Sequence, residues 1–199
     1  APAPAAALPK CPVMGEEIDF SVRTDTPDGP VYFCCPMCIS KFEKEPAKFA
    51  DAVKAQREAL AKRARVQTKC PVSGKPVDGK TSAEVGGQKV SFCCAQCVDK
   101  YKAEPAKYKG ALEGSYTYQT KCPVSGEDIN PTVASDLSTG QRIYFCCKDC
   151  IETVKKDPAK YIKQLEGEGI TLDRLQTNCP IMGGKIDRTI YVDHDGKRI

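Results

Sequence analysis

Eight residues, Val31–Cys38 (VYFCCPMC), return as Val90–Cys97 (VSFCCAQC) and as Ile143–Cys150 (IYFCCKDC). This pattern limits the fold more than any other feature of the chain. Each copy ends an apolar, β-prone run with two adjacent cysteines and adds a third cysteine three residues on. Upstream of each copy stands one more cysteine, Cys11, Cys70 or Cys122, in a Cys-Pro-Val-x-Gly turn. Twelve of the thirteen cysteines thus fall into three sets of four, an arithmetic that speaks for metal sites.

The repeat period of about 52–59 residues predicts small units, each too short to bury much apolar surface unaided. Such units need a disulfide, a metal or a partner to stay folded. An aromatic content of 7%, no Trp and a mean hydropathy of −0.42 agree with thin cores. The net charge is only +4, and basic and acidic residues alternate along the helical segments. They read as solvated faces rather than a phosphate-binding stripe, so no nucleic-acid partner is expected. No run of 18 apolar residues exists, so no membrane-spanning helix is expected. The opening APAPAAALPK has the composition of a flexible leader left after export, which points to a periplasmic or extracellular protein. An excerpt of a longer chain is the alternative.

Taken in order, residues 1–9 read as that leader, followed by a unit at 10–66, a second at 67–118, a third at 119–175 and an incomplete fourth at 176–199. In the first, Cys11-Pro-Val-Met-Gly15 makes a tight turn in which Gly15 takes a positive φ. Ile18–Arg23 and Val31–Phe33 read as a β-hairpin turned at 26–30. A helix starts near Pro36, which has no N–H to lose there, and places Cys38 in a first turn that favours a thiolate. Ile39 and Phe42 share its inner face. A long helix from Pro46, with Phe49, Val53 and Leu60 inward, reads as a spacer to the next unit.

The second unit turns its hairpin at Gly86-Gly87, with Val98, Tyr101, Pro105 and Tyr108 in the corresponding places. The third turns at Thr139-Gly140, with Ile151, Val154, Pro158 and Tyr161 in step. Cys179-Pro-Ile-Met-Gly183 opens the fourth, and RTIYVDHDGKRI reads as its hairpin, stopping where a Tyr-Phe-Cys-Cys run would follow. The overall class is therefore α+β, as tandem small modules stabilised by metal.

These units resemble the YHS and TRASH families of small, treble-clef-like metal-binding modules. The resemblance rests on the knuckle cysteine, the Phe-Cys-x-x-x-Cys element and the aromatic–Pro–Lys–aromatic helix, and covers the chain from residue 10 onward. It implies a Cys-Pro knuckle, a hairpin and one or two helices per module, with a transition metal held for heavy-metal sensing, trafficking or resistance. The ligands it implies are Cys11, Cys34 and Cys38; Cys70, Cys93 and Cys97; and Cys122, Cys146 and Cys150, with Cys179 beginning the fourth set. A full knuckle would carry a second cysteine where this chain has Met14, Ser73, Ser125 and Met182.

Three thiolates fall short of a closed zinc site, which takes four. Each complete unit carries an additional cysteine beside the second ligand, Cys35, Cys94 or Cys147, and loss at one place with gain at another reads as compensation. Adjacent strand residues point to opposite faces, so both can reach one ion only where the chain turns sharply. One Zn2+ or Cu+ per complete module is the expectation, since zinc suits four thiolates and copper(I) suits two or three. Met14 reads as a packing residue.

Disulfides within each set remain an alternative in an oxidising compartment, and a redox dithiol at Cys35-Pro-Met-Cys38 ranks third. His194, the only histidine, reads as a turn residue, and no catalytic constellation is visible. The aromatics Tyr32, Phe33, Phe42 and Phe49 read as core. Two functions follow: a metal-binding protein that buffers, sequesters or delivers a soft ion, or a zinc-stabilised scaffold within a larger assembly.

Overall fold

In the computed structural model the described residues are 8–137, 140–170, 172, 193–194 and 197–198. They build a mixed fold of short helices and two-stranded antiparallel sheets. The first unit pairs β1 (Asp19–Thr26) with β2 (Gly29–Phe33), followed by α1 (Pro36–Lys44), a single 3-10 turn (Pro46–Phe49) and α2 (Ala50–Ala61). After β3 (Val66–Gln67), the second unit pairs β4 (Ser82–Val85) with β5 (Gln88–Ser91) and adds α3 (Ala95–Ala103) and α4 (Lys109–Glu113). After β6 (Tyr116–Thr117), the third pairs β7 (Asn130–Asp136) with β8 (Arg142–Phe145) and adds α5 (Asp149–Lys156) and α6 (Pro158–Gly167). Near the end of the chain, β9 (Asp193–His194) pairs with β10 (Lys197–Arg198).

The hairpins form where alternation and turn chemistry place them. Gly86 and Gly87 both take positive φ, 60° and 77°, the primed turn that matches the twist of paired strands. In the first hairpin the turn is tighter than the sequence suggests, because Thr26 already pairs with Gly29. Gly140 adopts φ 84° at the third turn, whereas Thr139 lies outside the described residues. The register slips in β1 between Asp19 and Arg23 and in β7 between Asn130 and Ala134. At both slips the side chain of Asp19 or Asn130 accepts the backbone N–H two residues on, from Ser21 at 2.8 Å or Thr132 at 3.0 Å. These local turns compete with the ladder and bend the strand.

Each unit has its own apolar cluster, and two cysteines lie inside each one. Tyr32, Phe33 and Phe42 are buried in the first, with Val31 beside them. Val90, Phe92 and Tyr101 fill the second, and Ile143, Phe145, Val154 and Leu165 the third. Phe49 is half-buried, and its ring lies 6.3 Å from that of Phe42.

Three expectations need correction. The helix after Pro46 is neither continuous nor as long as its pattern suggests: it opens as a 3-10 turn, ends at Ala61, and passes through Arg65 into β3. Nor is it a free spacer, since α2 packs on β2 and Arg65 pairs with Glu113 of α4 at 2.6 Å. Leu8 and Pro9 belong to the first unit rather than to a leader, because Leu8 packs on its core and the Pro9 carbonyl accepts the Ile18 N–H at 3.0 Å.

The units also touch. β3 pairs with β6, tying the start of the second unit to its end. Tyr118 stacks on Phe20 of the first unit, with ring centroids 4.6 Å apart. Gly110 lies so close to the first hairpin that a Cβ there would stand 2.7 Å from the Pro27 carbonyl oxygen. Phe20, Tyr32, Tyr144 and Leu172 line one small cleft, so the first and third units face each other as well. No helix among the described residues is long and apolar enough to cross a membrane.

Candidate metal centre

The knuckle is a miniature hairpin, built the same way three times. Cys11 N–H donates to the Glu16 carbonyl at 2.7 Å, and Gly15 N–H donates back to the Cys11 carbonyl at 2.9 Å. Cys70 and Gly74 repeat these bonds with Lys75, and Cys122 and Gly126 with Glu127. Gly15, Gly74 and Gly126 sit at φ 72°, 68° and 74°, conformations that a residue with a Cβ resists. The second strand of each hairpin then delivers the cysteine pair, and the helix start delivers the last cysteine of the set.

Three sulfur sets result: Cys11, Cys34 and Cys38; Cys70, Cys93 and Cys97; and Cys122, Cys146 and Cys150. Within each, all sulfurs lie within 4.8 Å of one another. The first set spans 27 positions, from Cys11 to Cys38, and each set can hold a metal ion.

The additional cysteines lie beside these sets. Cys35, at the N-cap of α1, places its sulfur 3.5 Å from that of Cys38 and 4.0 Å from that of Cys34. Cys34 and Cys38 are 3.7 Å apart. The second unit repeats the triangle at 3.8, 3.7 and 3.5 Å, and the third at 3.8, 3.7 and 3.6 Å. Thiolates at zinc bond length, about 2.3 Å, stand about 3.8 Å apart across a tetrahedron. The spacing of these three sulfurs is that of thiolates around such an ion, but the group whose sulfurs all lie within 4.8 Å of one another takes in the knuckle cysteine and leaves out Cys35, Cys94 and Cys147. The sharp turn needed for adjacent cysteines to face one way comes from the change from strand to helix, with Cys35 still extended at φ −156° and Pro36 already helical. All twelve described cysteines are free thiols, and none is paired as a disulfide. Cys179 and Met182 lie outside the described residues.

Proton affinities within the sets are unequal. Burial opposes ionisation of Cys11, yet backbone N–H groups of Cys34, Met14 and Val13 point at its sulfur and bring it below the usual thiol value. Burial is outweighed in the same way at Cys70, which falls to about 7 with donors from the Ser73 hydroxyl and the N–H groups of Cys93, Ser73 and Val72. Cys122 also falls to about 7 despite burial, held by N–H groups of Cys146, Ser125 and Val124. Cys97 is pushed up to about 12, first by burial and then by the neighbouring sulfurs of Cys94, Cys93 and Cys70. Cys38 and Cys150 move up for the same reasons. The helix start therefore does not make Cys38 a ready thiolate; in the first unit the knuckle Cys11 and the helix-capping Cys35 are the thiols brought down, Cys35 by the Cys38 thiol and N–H. Crowded sulfurs keep their protons until a cation replaces them.

A clamp missed in the sequence holds each site in register. The Gln119 amide donates to the carbonyls of Lys121 at 3.1 Å and Tyr144 at 2.7 Å, and its oxygen accepts the Tyr144 N–H at 3.0 Å. Gln67 makes the same three bonds to Lys69 and Ser91. Each glutamine thereby joins the residue before the knuckle cysteine to the strand that ends in the cysteine pair. The signal was available, since Gln precedes Cys70, Cys122 and Cys179 by three residues. In the first unit that place is Leu8, and Gln56 on α2 supplies the clamp instead, bonding Lys10, Tyr32 O and Tyr32 N at 2.9, 2.8 and 3.0 Å.

The position where a knuckle would carry its second cysteine also approaches the sulfurs. Ser73 Oγ is 3.2 Å from Cys93 Sγ, and Ser125 Oγ is 3.3 Å from Cys146 Sγ. Met14 in the first unit is 56% exposed, which overturns its reading as a packing residue. A cavity of about 300 Å³ at the junction of the first and second units, lined by Tyr32, Arg57, Leu60, Arg65, Glu113 and Tyr118, contains no cysteine. No family model matches the chain, and neither a curated protein nor a solved structure matches it.

Proposed function

We propose that this chain is a metal-binding protein whose three cysteine units each hold one thiolate-bound transition metal ion, for buffering, sequestration or delivery. The observation that carries this reading is the convergence, three times over, of a distant knuckle thiol with two neighbouring thiols, all within 4.8 Å. The matching knuckle hairpins and glutamine clamps support it, because each serves to bring the same sulfurs together. The YHS/TRASH-like pattern of the sequence and a treble-clef-like description of the modules accord with this reading. Cys35, Cys94 and Cys147 supply the fourth sulfur where zinc is bound. The chain acts by binding rather than catalysis, with metal ions as its partners.

A second reading has its own support. Cys11, Cys38, Cys70, Cys97, Cys122 and Cys150 are buried among the apolar residues of their units, where an ion would act as part of the core. On that reading zinc stabilises a scaffold that joins a larger assembly. Elemental analysis of the purified chain, followed by chelator competition, separates the two. Exchangeable ions at one per unit support delivery or buffering, inert zinc at the same ratio supports the scaffold, and a chain free of metal that also refuses added metal contradicts both.

A further inference from the structure

The three sulfur sets are alike, but their flanking residues are not. Met14 occupies the first knuckle where Ser73 and Ser125 occupy the others. Met37 precedes Cys38 where Gln96 precedes Cys97 and Asp149 precedes Cys150. Met14 and Met37 are 56% and 72% exposed, and they are the exposed large hydrophobic residues among those described. A methionine used for packing would be buried in the core.

The backbones of both stand against the sulfurs, with their side chains exposed beside the set. The Met14 backbone N–H is directed at the Cys11 sulfur, and the Met37 N–H at the Cys35 sulfur. The knuckle position of Met14 is the one from which Ser73 and Ser125 reach within 3.2 and 3.3 Å of a cysteine sulfur. Thioethers are soft, uncharged donors that favour copper(I) and add little for zinc, whereas hydroxyl, amide and carboxylate groups bring no preference for a soft ion.

We infer that the first unit is the soft-metal site of the chain, with Met14 and Met37 adding thioether donors to its thiols and selecting a monovalent ion such as copper(I). The second and third units, flanked by Ser73 and Gln96 or by Ser125 and Asp149, are zinc sites. This division rests on the metal-binding reading above and adds to it which unit takes which ion.

The test uses the full chain, reduced and stripped of metal, titrated with copper(I) against a chromophoric copper(I) chelator and separately with zinc. The variant Met14→Ser with Met37→Gln carries the second unit's residues at exposed positions, so folding is retained. Its tightest copper(I) equivalent is expected to weaken by about tenfold to a hundredfold while zinc affinity stays as in the parent. The reciprocal variant, Ser73→Met with Gln96→Met, is expected to gain a second tight copper(I) equivalent. Unchanged copper(I) affinity in the first variant, or an equal fall for zinc, overturns the division while leaving metal binding intact. A parent chain that binds neither ion overturns the metal-binding reading and this inference together.

Discussion

The first and third units reach the same sulfur geometry by different routes. In the third, Gln119 is wholly buried three residues before Cys122 and clamps its site from within the adjoining chain. In the first, Gln56 does the same work from α2, 46 residues from the Lys10 carbonyl it binds. Leu8 takes the vacated place and packs on the first unit's core. The clamp thus recurs at each complete site, whereas its place in the chain does not. The first site depends on a helix that the third can do without.

Loss of a thiol tests whether the two sites are independent, and carries the largest effect. Cys38→Ser is expected to lower the metal-to-protein ratio by one and to unfold the first unit, because a structural ion contributes folding free energy directly. Amide exchange should show the third unit's α5 and α6 still protected, with protection reduced around Tyr118 and Leu172, which adjoin the first unit. Equal loss of protection in α5 would show one cooperative body instead of units.

The helix dependence is broken by proline. Lys54→Pro, at an exposed position in α2, costs about 3 kcal/mol of helix and is expected to displace Gln56. Metal affinity at the first site should fall while the third is unchanged. Gln119→Ala should do the converse, at about 1–3 kcal/mol for the buried groups it leaves unpaired, read from denaturant midpoints. Indifference of the first site to Lys54→Pro would show that the clamp is dispensable.

Smaller effects sharpen the packing between units. Gly110→Ala places a Cβ 2.7 Å from the Pro27 oxygen and 2.8 Å from the Thr26 oxygen, both backbone atoms that cannot swing aside. Thermal unfolding should show about 1–3 kcal/mol of destabilisation, the range for overpacking, with metal content unaffected. Lys109→Ala removes the exposed pair with Asp28 at 3.1 Å and should cost no more than about 1 kcal/mol in the same assay. A larger loss would mean that this ion pair, not the close approach of Gly110, joins the two units.

Much of this was legible in the sequence because spacing and turn chemistry are local. The glycine pair at 86–87, the knuckle glycines and Pro36 each specify their own backbone, and the cysteine intervals identify the thiols that meet. Gln56 was illegible for the opposite reason. Its partners lie far away in the chain, and on an amphipathic helix it looks like one more polar residue. Met14 misled because a methionine usually packs, whereas in this turn it is largely exposed. The path from α2 into β3 depends on Glu113 and Tyr118 at the far end of the second unit, which no window along the chain could show.

Anomalous scattering from crystals of the chain, collected at the zinc and copper absorption edges, tests the central claim most directly. The account predicts one peak inside each of the sulfur sets of Cys11, Cys70 and Cys122, within bonding distance of their three thiols. Maps without peaks at any of these sets, from protein prepared with reductant and supplied with both metals, would contradict it.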